Sequence, residues 1–212
     1  MIKKTIYPKT NRVPVNPDWV CELTEKLDGS NLVIFKYKNV LYFAQRNTIY
    51  TADEIVNADK KTVTLYKGLK QWVIDNRDFL EENLFDNMAL CGEWLGMGAI
   101  KYAIEDGFDK RFYMFAKASV TKDYTLINKT HYQSMFCYAF KDHSLPSFIG
   151  VVPLITTLNE MPDKEDLDII YTDYSLLKTH RFVEGIVVNY QNNISKYVRM
   201  KCGKLQEHTD RY

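Results

Sequence analysis

The stretch Glu25-Lys26-Leu27-Asp28-Gly29-Ser30-Asn31 sets a lysine two residues ahead of an Asp-Gly turn signal, just before a run that reads as a β-hairpin. Alone, it is a polar turn that happens to carry a lysine. Its company changes the reading. Glu93 falls at the end of a stretch that reads as a buried strand, where a carboxylate is costly unless it is bound to something. Glu184-Gly185 precedes the apolar run Ile186-Val187-Val188 in the same way. Arg199 and Lys201 alternate on a late predicted strand, which points both side chains to one face. One lysine, two strand-embedded carboxylates and a basic pair suit phosphate chemistry assisted by a divalent metal. Plainer readings stand beside this one: Glu93 as a strand-end ion-pair partner, Arg199 and Lys201 as an exposed face, Phe115 as core.

The elements that must hold these residues follow from periodicity. Residues 31–37 and 40–44, separated by Lys38-Asn39, are rich in β-branched and aromatic side chains and predict a hairpin. Between Thr64 and Asn83, Leu65, Leu69, Trp72, Val73, Asn76, Phe79 and Leu80 recur at helical spacing. Met88 to Trp94 and Arg111 to Ala116 predict strands. Ile149 to Ile155, which contains Pro153, predicts an edge strand or an extended segment. Phe182 to Tyr190 and Lys196 to Cys202 predict two late strands joined by a turn at Gln191-Asn192-Asn193. Strands early and late, helix between and no regular βαβ alternation give an α+β class with largely antiparallel sheets and flanking helices. There is no P-loop and no GxGxxG after a strand; the glycines of Gly92-Glu93-Trp94-Leu95-Gly96-Met97-Gly98 fit neither spacing, which argues against the usual kinase or dehydrogenase.

The 212 residues, 46% hydrophobic and 26% charged, have ordinary globular composition. A net charge of +1 argues against a protein that coats nucleic acid, yet allows a local basic groove. Two basic clusters occur, at Lys60, Lys61, Lys67 and Lys70 and at Lys196, Arg199, Lys201 and Lys204; the first reads as a solvated face. Cys21, Cys91, Cys137 and Cys202 form no CxxC pair and read as free thiols, and the four histidines share no ligand spacing. No apolar run reaches the roughly 18 residues of a membrane span, and the N-terminus lacks the apolar stretch of a secretory signal, so a cytoplasmic location is expected.

Lys26-Leu27-Asp28-Gly29 resembles the KxDG motif of the covalent nucleotidyltransferases, the superfamily of DNA ligases, RNA ligases and mRNA-capping enzymes. Further motifs resemble that superfamily in its order: Arg46 in Gln45-Arg46-Asn47-Thr48, Cys91-Gly92-Glu93-Trp94, Phe112-Tyr113-Met114-Phe115, Val183-Glu184-Gly185-Ile186-Val187 and Arg199-Met200-Lys201. The resemblance implies the ATP-grasp-like fold of ligases and capping enzymes, with ATP and Mg2+ or Mn2+ as cofactors. It implies that Lys26 attacks the α-phosphorus of ATP and carries AMP, while Arg199 and Lys201 neutralise the phosphate and Glu184 holds the metal. It further implies that Glu93 binds the ribose hydroxyls and Phe115 stacks on adenine. Asn31 and Arg46 would contact ribose or α-phosphate, and the main chain at Thr24 and Glu25 would read the adenine edge.

Asn31 resembles the RNA-ligase form of the first motif, and the chain ends at Tyr212, soon after the last. The expectation is therefore a single adenylation domain over residues 1–212, without an OB-fold domain, in an ATP-dependent RNA ligase that seals 3′-OH and 5′-phosphate ends. A minimal DNA ligase and a non-catalytic nucleotide- or RNA-binding module are the alternatives. Two departures from the motifs stand out: Ala116 follows Phe115 where an aspartate is usual, and Arg199 opens the last motif in place of lysine.

Overall fold

The computed structural model describes residues 1–4, 6, 7, 21–59, 63–178, 180–190 and 194–199, and the backbone alone at 11, 12, 193, 200, 201, 204 and 205. In chain order its elements are β1 (Asn11–Arg12), β2 (Cys21–Lys26), β3 (Ser30–Tyr37), β4 (Val40–Gln45), β5 (Thr48–Thr51), α1 (Ala52–Val56) and α2 (Leu69–Asn83). There follow β6 (Met88–Trp94), β7 (Phe112–Val120), β8 (Leu126–Thr130), β9 (Ile149–Val151), β10 (Leu154–Leu158), α3 (Lys164–Leu176), β11 (Gly185–Tyr190), β12 (Asn193–Val198), β13 (Met200–Lys201) and β14 (Lys204–Leu205). Antiparallel pairings dominate, with β7–β9 and β1–β12 parallel, so the class is α+β as the segment order predicts. The chain divides into two compact units. Met1–Pro8, Gly29–Met97 and Lys110–Val151 form the first; Lys9–Asp28, Gly98–Asp109 and Val152–Tyr212 form the second.

In the first unit, a seven-stranded sheet runs β5-β4-β3-β6-β7-β8, with β9 paired to β7. The predicted hairpin is β3–β4, and its turn is Lys38-Asn39, both at positive φ (51° and 61°). Two consecutive left-handed residues match the twist of a two-residue hairpin. One sheet face, with Leu32, Ile34, Phe43, Leu90 and Trp94, packs with Leu69, Trp72, Val73 and Leu80 of α2. The other face carries Val33, Phe35, Ala44, Ala89 and Cys91, with Ile6 and Tyr7 against it. Each large apolar side chain buried this way stabilises the unit by about 1.5–3 kcal/mol.

The helix starts five residues later than periodicity predicts. Gly68 sits at φ 83°, outside the helical region, and Gln45 claims the backbone before it: its side chain accepts from Tyr66 N–H (2.7 Å) and donates to Thr64 O (2.9 Å). Strand β7 runs on to Val120, past the predicted end at Ala116, through a bulge. Met114 pairs with Gly92 and Ala116 with Cys91, which leaves Phe115 as the extra residue. One extra residue reverses the parity of every side chain after it. Phe112 and Met114 therefore belong to the α2 face, but Ala116 and Ala118 to the other.

The second unit is built on the sheet β1-β12-β11-β2-β10. Lys26 is the last residue of β2, just ahead of the Asp28-Gly29 turn signal. The expected segment 149–155 splits at Pro153: β9 joins the first unit's sheet and β10 lies at the end of the second unit's strand order. A proline has no N–H to give a ladder, so neither strand can run through it. The late strands are shorter than predicted: β11 begins at Gly185 and β12 ends at Val198, with Met200–Lys201 a separate short strand. Of the expected turn, Gln191 and Asn192 lie outside the described residues, and Asn193 opens β12. Helix α3, not anticipated, begins with a capping box in which Asp166 N–H donates to the Asp163 side chain (2.9 Å) and Asp163 N–H to Asp166 (3.1 Å). It buries Leu167 and Tyr171 in a core with Leu23, Ile186 and Val188. No described helix is long and apolar enough to cross a membrane.

Candidate active site

Strands β2 and β11 run antiparallel with Lys26 opposite Gly185, which sets Lys26 beside the residue that precedes Gly185. Lys26 Nζ donates to Glu184 Oε2 at 2.7 Å, and the two side chains are 22% and 15% exposed. Two sequence-predicted residues 158 positions apart are thus in direct contact. Burial pushes the Glu184 carboxyl above the ordinary glutamate range, opposed by Lys26 and Lys196 and reinforced by the negative Asp28. Gly185 has no room for a side chain: a Cβ would lie 2.0 Å from Tyr197 O.

Asp28 anchors the segment that follows the glycine-rich stretch. Its Oδ2 accepts from the N–H groups of Ala99 (2.6 Å) and Ile100 (2.9 Å), and its own N–H donates to the Tyr102 hydroxyl (2.6 Å). A Cβ on Gly98 would come 2.1 Å from Asp28 O, so glycine is required for this close approach.

The side chain of Glu25 has a partner that sequence reasoning missed. It is buried and bound by Arg181, whose Nη2 donates to Oε2 at 2.7 Å and whose Nη1 donates to Oε1. Tyr174 donates a further bond to Oε2 (2.8 Å), and the guanidinium lies over Phe108 (4.6 Å) and Tyr102 (5.3 Å). The charge pattern was there to find: an acid immediately before Lys26 and a base three residues before Glu184. Thr24 is buried opposite Val187 and Leu154, and Glu25 N–H donates to Pro153 O (2.9 Å).

Arg199 does not share a strand with Lys201. It lies between β12 and β13, its N–H donating to Glu184 O (3.0 Å) and its Nη1 bound to Asp168 of α3 (3.0 Å). Of Lys201 only the backbone is described. In the first basic cluster, Lys67 and Lys70 are exposed, and Lys60 and Lys61 lie outside the described residues.

In the first unit, Asn31 on β3 stands directly opposite Glu93 on β6, on the face that carries Cys91. Gly29 closes in where a Cβ would lie 2.7 Å from Trp94 O and 3.2 Å from a Glu93 carboxylate oxygen. The bulge adds half-buried Phe115 to this same face. His131, buried, bonds through its ring to the Phe115 backbone, and burial pushes its pKa down to about 4. Arg46 is exposed in the tight turn after β4, its N–H donating to the Tyr66 hydroxyl (3.2 Å), which in turn donates to Asn31 O (3.1 Å). The structure therefore groups Asn31, Glu93 and Phe115 on one sheet face and Lys26 with Glu184 and Arg199 in the second unit. Cys21 and Cys91 are buried free thiols and Cys137 a half-buried one, and burial pushes Cys91 up to about 12; Cys202 lies outside the described residues.

Among the described residues no group of three or more His, Cys, Asp or Glu side chains could by itself hold a metal. Glu184, with the charge of Asp28 acting on it, fits a different arrangement: a hard divalent cation held by one or two carboxylates and by phosphate oxygens of a substrate.

The RNA ligase family model matches residues 20–202. The chain belongs to the RNA ligase family. No curated protein matches it. Solved structures with a similar fold include a Naegleria gruberi RNA ligase mutant with ATP and Mn, at a TM-score of 0.54 and 18% identity over 92% of this chain and 56% of that one. A second mutant of that ligase, with AMP and Mn, has a TM-score of 0.53 at 19% identity over 93% of this chain and 56% of that one. The same ligase with PPi has a TM-score of 0.51 at 18% identity, again over 93% and 56%. The chain thus spans a little over half the length of the structures it matches.

Proposed function

We propose that the chain is the adenylation domain of an ATP-dependent RNA ligase, with Lys26 the residue that takes up AMP. The observation that carries this reading is the Lys26–Glu184 contact at 2.7 Å, within a chain that belongs to the RNA ligase family. In the first step Lys26 Nζ attacks the α-phosphorus of ATP; a nitrogen–phosphorus bond forms, the bond to the β-phosphate oxygen breaks and pyrophosphate leaves. The attack needs the free lone pair of the amine, so the proton that Nζ shares with Glu184 Oε2 must first depart. Glu184 would hold a divalent cation, Mg2+ or Mn2+, whose charge would stabilise the α-phosphate oxygens. Arg199 and Lys201 are assigned to the phosphate, Glu93 to the ribose hydroxyls and Phe115 to the adenine face. Asn31 and Arg46 are assigned to ribose or α-phosphate, and the main chain of Thr24 and Glu25 to the adenine edge. AMP then passes to a 5′-phosphate of RNA, and a 3′-OH displaces it to seal the strand.

The test is strand joining. With ATP and magnesium, the protein is expected to join nicked RNA that carries a 3′-OH and a 5′-phosphate in preference to the same nick in DNA. Equal or better sealing of the DNA nick would replace RNA by DNA as the substrate, and binding of RNA without any joining would favour a module without catalysis.

A further inference from the structure

Among the described residues, Tyr7 carries a buried hydroxyl that has no part in the proposed function. Tyr7 lies in the first unit with its ring edge-on to Phe115, centroids 5.2 Å apart at 78°, on the sheet face that carries Glu93 and Cys91. Lys129 Nζ stands 5.4 Å from the centre of the same ring. The Tyr7 hydroxyl is buried and has no hydrogen-bond partner among the described residues. Its pKa is raised, first by burial and then by the negative charges available at Cys91 and Glu93, which sets the hydroxyl within electrostatic reach of Glu93.

A phenol oxygen out of water with nothing to bond to is costly, and phenylalanine would fill the same space without that penalty. A tyrosine in this place is explained if the missing partner arrives with the substrate. Glu93 is the residue assigned to the ribose, and Phe115 the one assigned to the base. We propose that Tyr7 is a further nucleotide-binding residue, whose hydroxyl bonds the ribose of ATP alongside Glu93 while its ring edge holds Phe115 in place. This rests on the adenylation reading above.

Tyr7→Phe separates the two roles of the side chain, since it keeps the ring and removes only the orphan oxygen. Lysyl-AMP formation is followed at varied ATP in wild type and variant, alongside thermal unfolding without nucleotide. The expected result is a roughly fivefold rise in the ATP concentration for half-maximal adduct, the size of one neutral hydrogen bond, with unfolding at an equal or higher temperature. With 2′-deoxy-ATP and 3′-deoxy-ATP, the penalty should vanish for the analogue that lacks the contacted hydroxyl. An unchanged ATP dependence would overturn the proposal and leave Tyr7 a packing residue. A penalty of equal size with all three nucleotides would also overturn it, by moving the contact off the ribose. A wild-type protein that forms no adduct defeats the adenylation reading itself, an outcome distinct from either.

Discussion

Arg181 and Glu25 form the most deeply buried ion pair described in this chain, with side chains 1% and 0% exposed. They neighbour the proposed catalytic residues in sequence, Glu25 beside Lys26 and Arg181 three residues before Glu184, so the pair ties the end of β2 to the segment that leads into β11. Removing one partner of a buried pair strands the other charge, at a cost of about 3–5 kcal/mol. Arg181→Met is therefore expected to destabilise the fold by that amount, read as a fall in the urea midpoint; a change below about 1 kcal/mol would mean that Glu25 is not held as described. The Lys26–Glu184 pair is more exposed, and a partly solvated pair contributes little to folding. On the proposed function, its geometry serves the reaction more than the fold. Sequence reading singled out both members of this second pair, though not their contact, because both lie in recognisable motifs; it missed the first, because a charge on a strand does not announce a partner 156 residues away.

At the scale of elements, the bulge in β7 decides which face Phe115 joins, and His131 anchors it. With its pKa pushed down to about 4 from 6.5, His131 is neutral when folded, while the unfolded chain holds the proton. Between those values the native state binds fewer protons, so stability is fully present above about pH 6.5 and is lost as pH falls toward 4. A shift of this size is worth roughly 3 kcal/mol. His131→Gln removes the titration, and its stability should be flatter than wild type by about that amount between pH 6.5 and 4, measured by chemical denaturation. Parallel pH profiles would contradict the buried neutral ring. A pattern of alternating residues cannot reveal a bulge, since the parity change becomes visible only against the partner strand. The β3–β4 hairpin and β6 were legible because their signals are local: β-branched runs, and for the hairpin a two-residue turn. The start of α2 was not, because Gln45, far from it in sequence, ties up the backbone ahead of Gly68. Helix α3 did carry a readable signal, an Asp163–Asp166 capping box ahead of Leu167, Ile170, Tyr171 and Tyr174 at helical spacing.

At the scale of the whole molecule, membership of the RNA ligase family and the antiparallel α+β architecture agree with what the ordered motifs implied. The motifs distribute between two compact units: Lys26, Glu184 and Arg199 in one, Asn31, Arg46, Glu93 and Phe115 in the other. The proposed function turns on one covalent event, transfer of AMP to Lys26. Incubation of the purified protein with ATP and magnesium, followed by intact-mass measurement, tests it directly. The account predicts a mass increase of one AMP in the wild type, released by added pyrophosphate and absent from Lys26→Ala. An adduct that survives in Lys26→Ala, or a wild type that gains no mass with ATP, would contradict it.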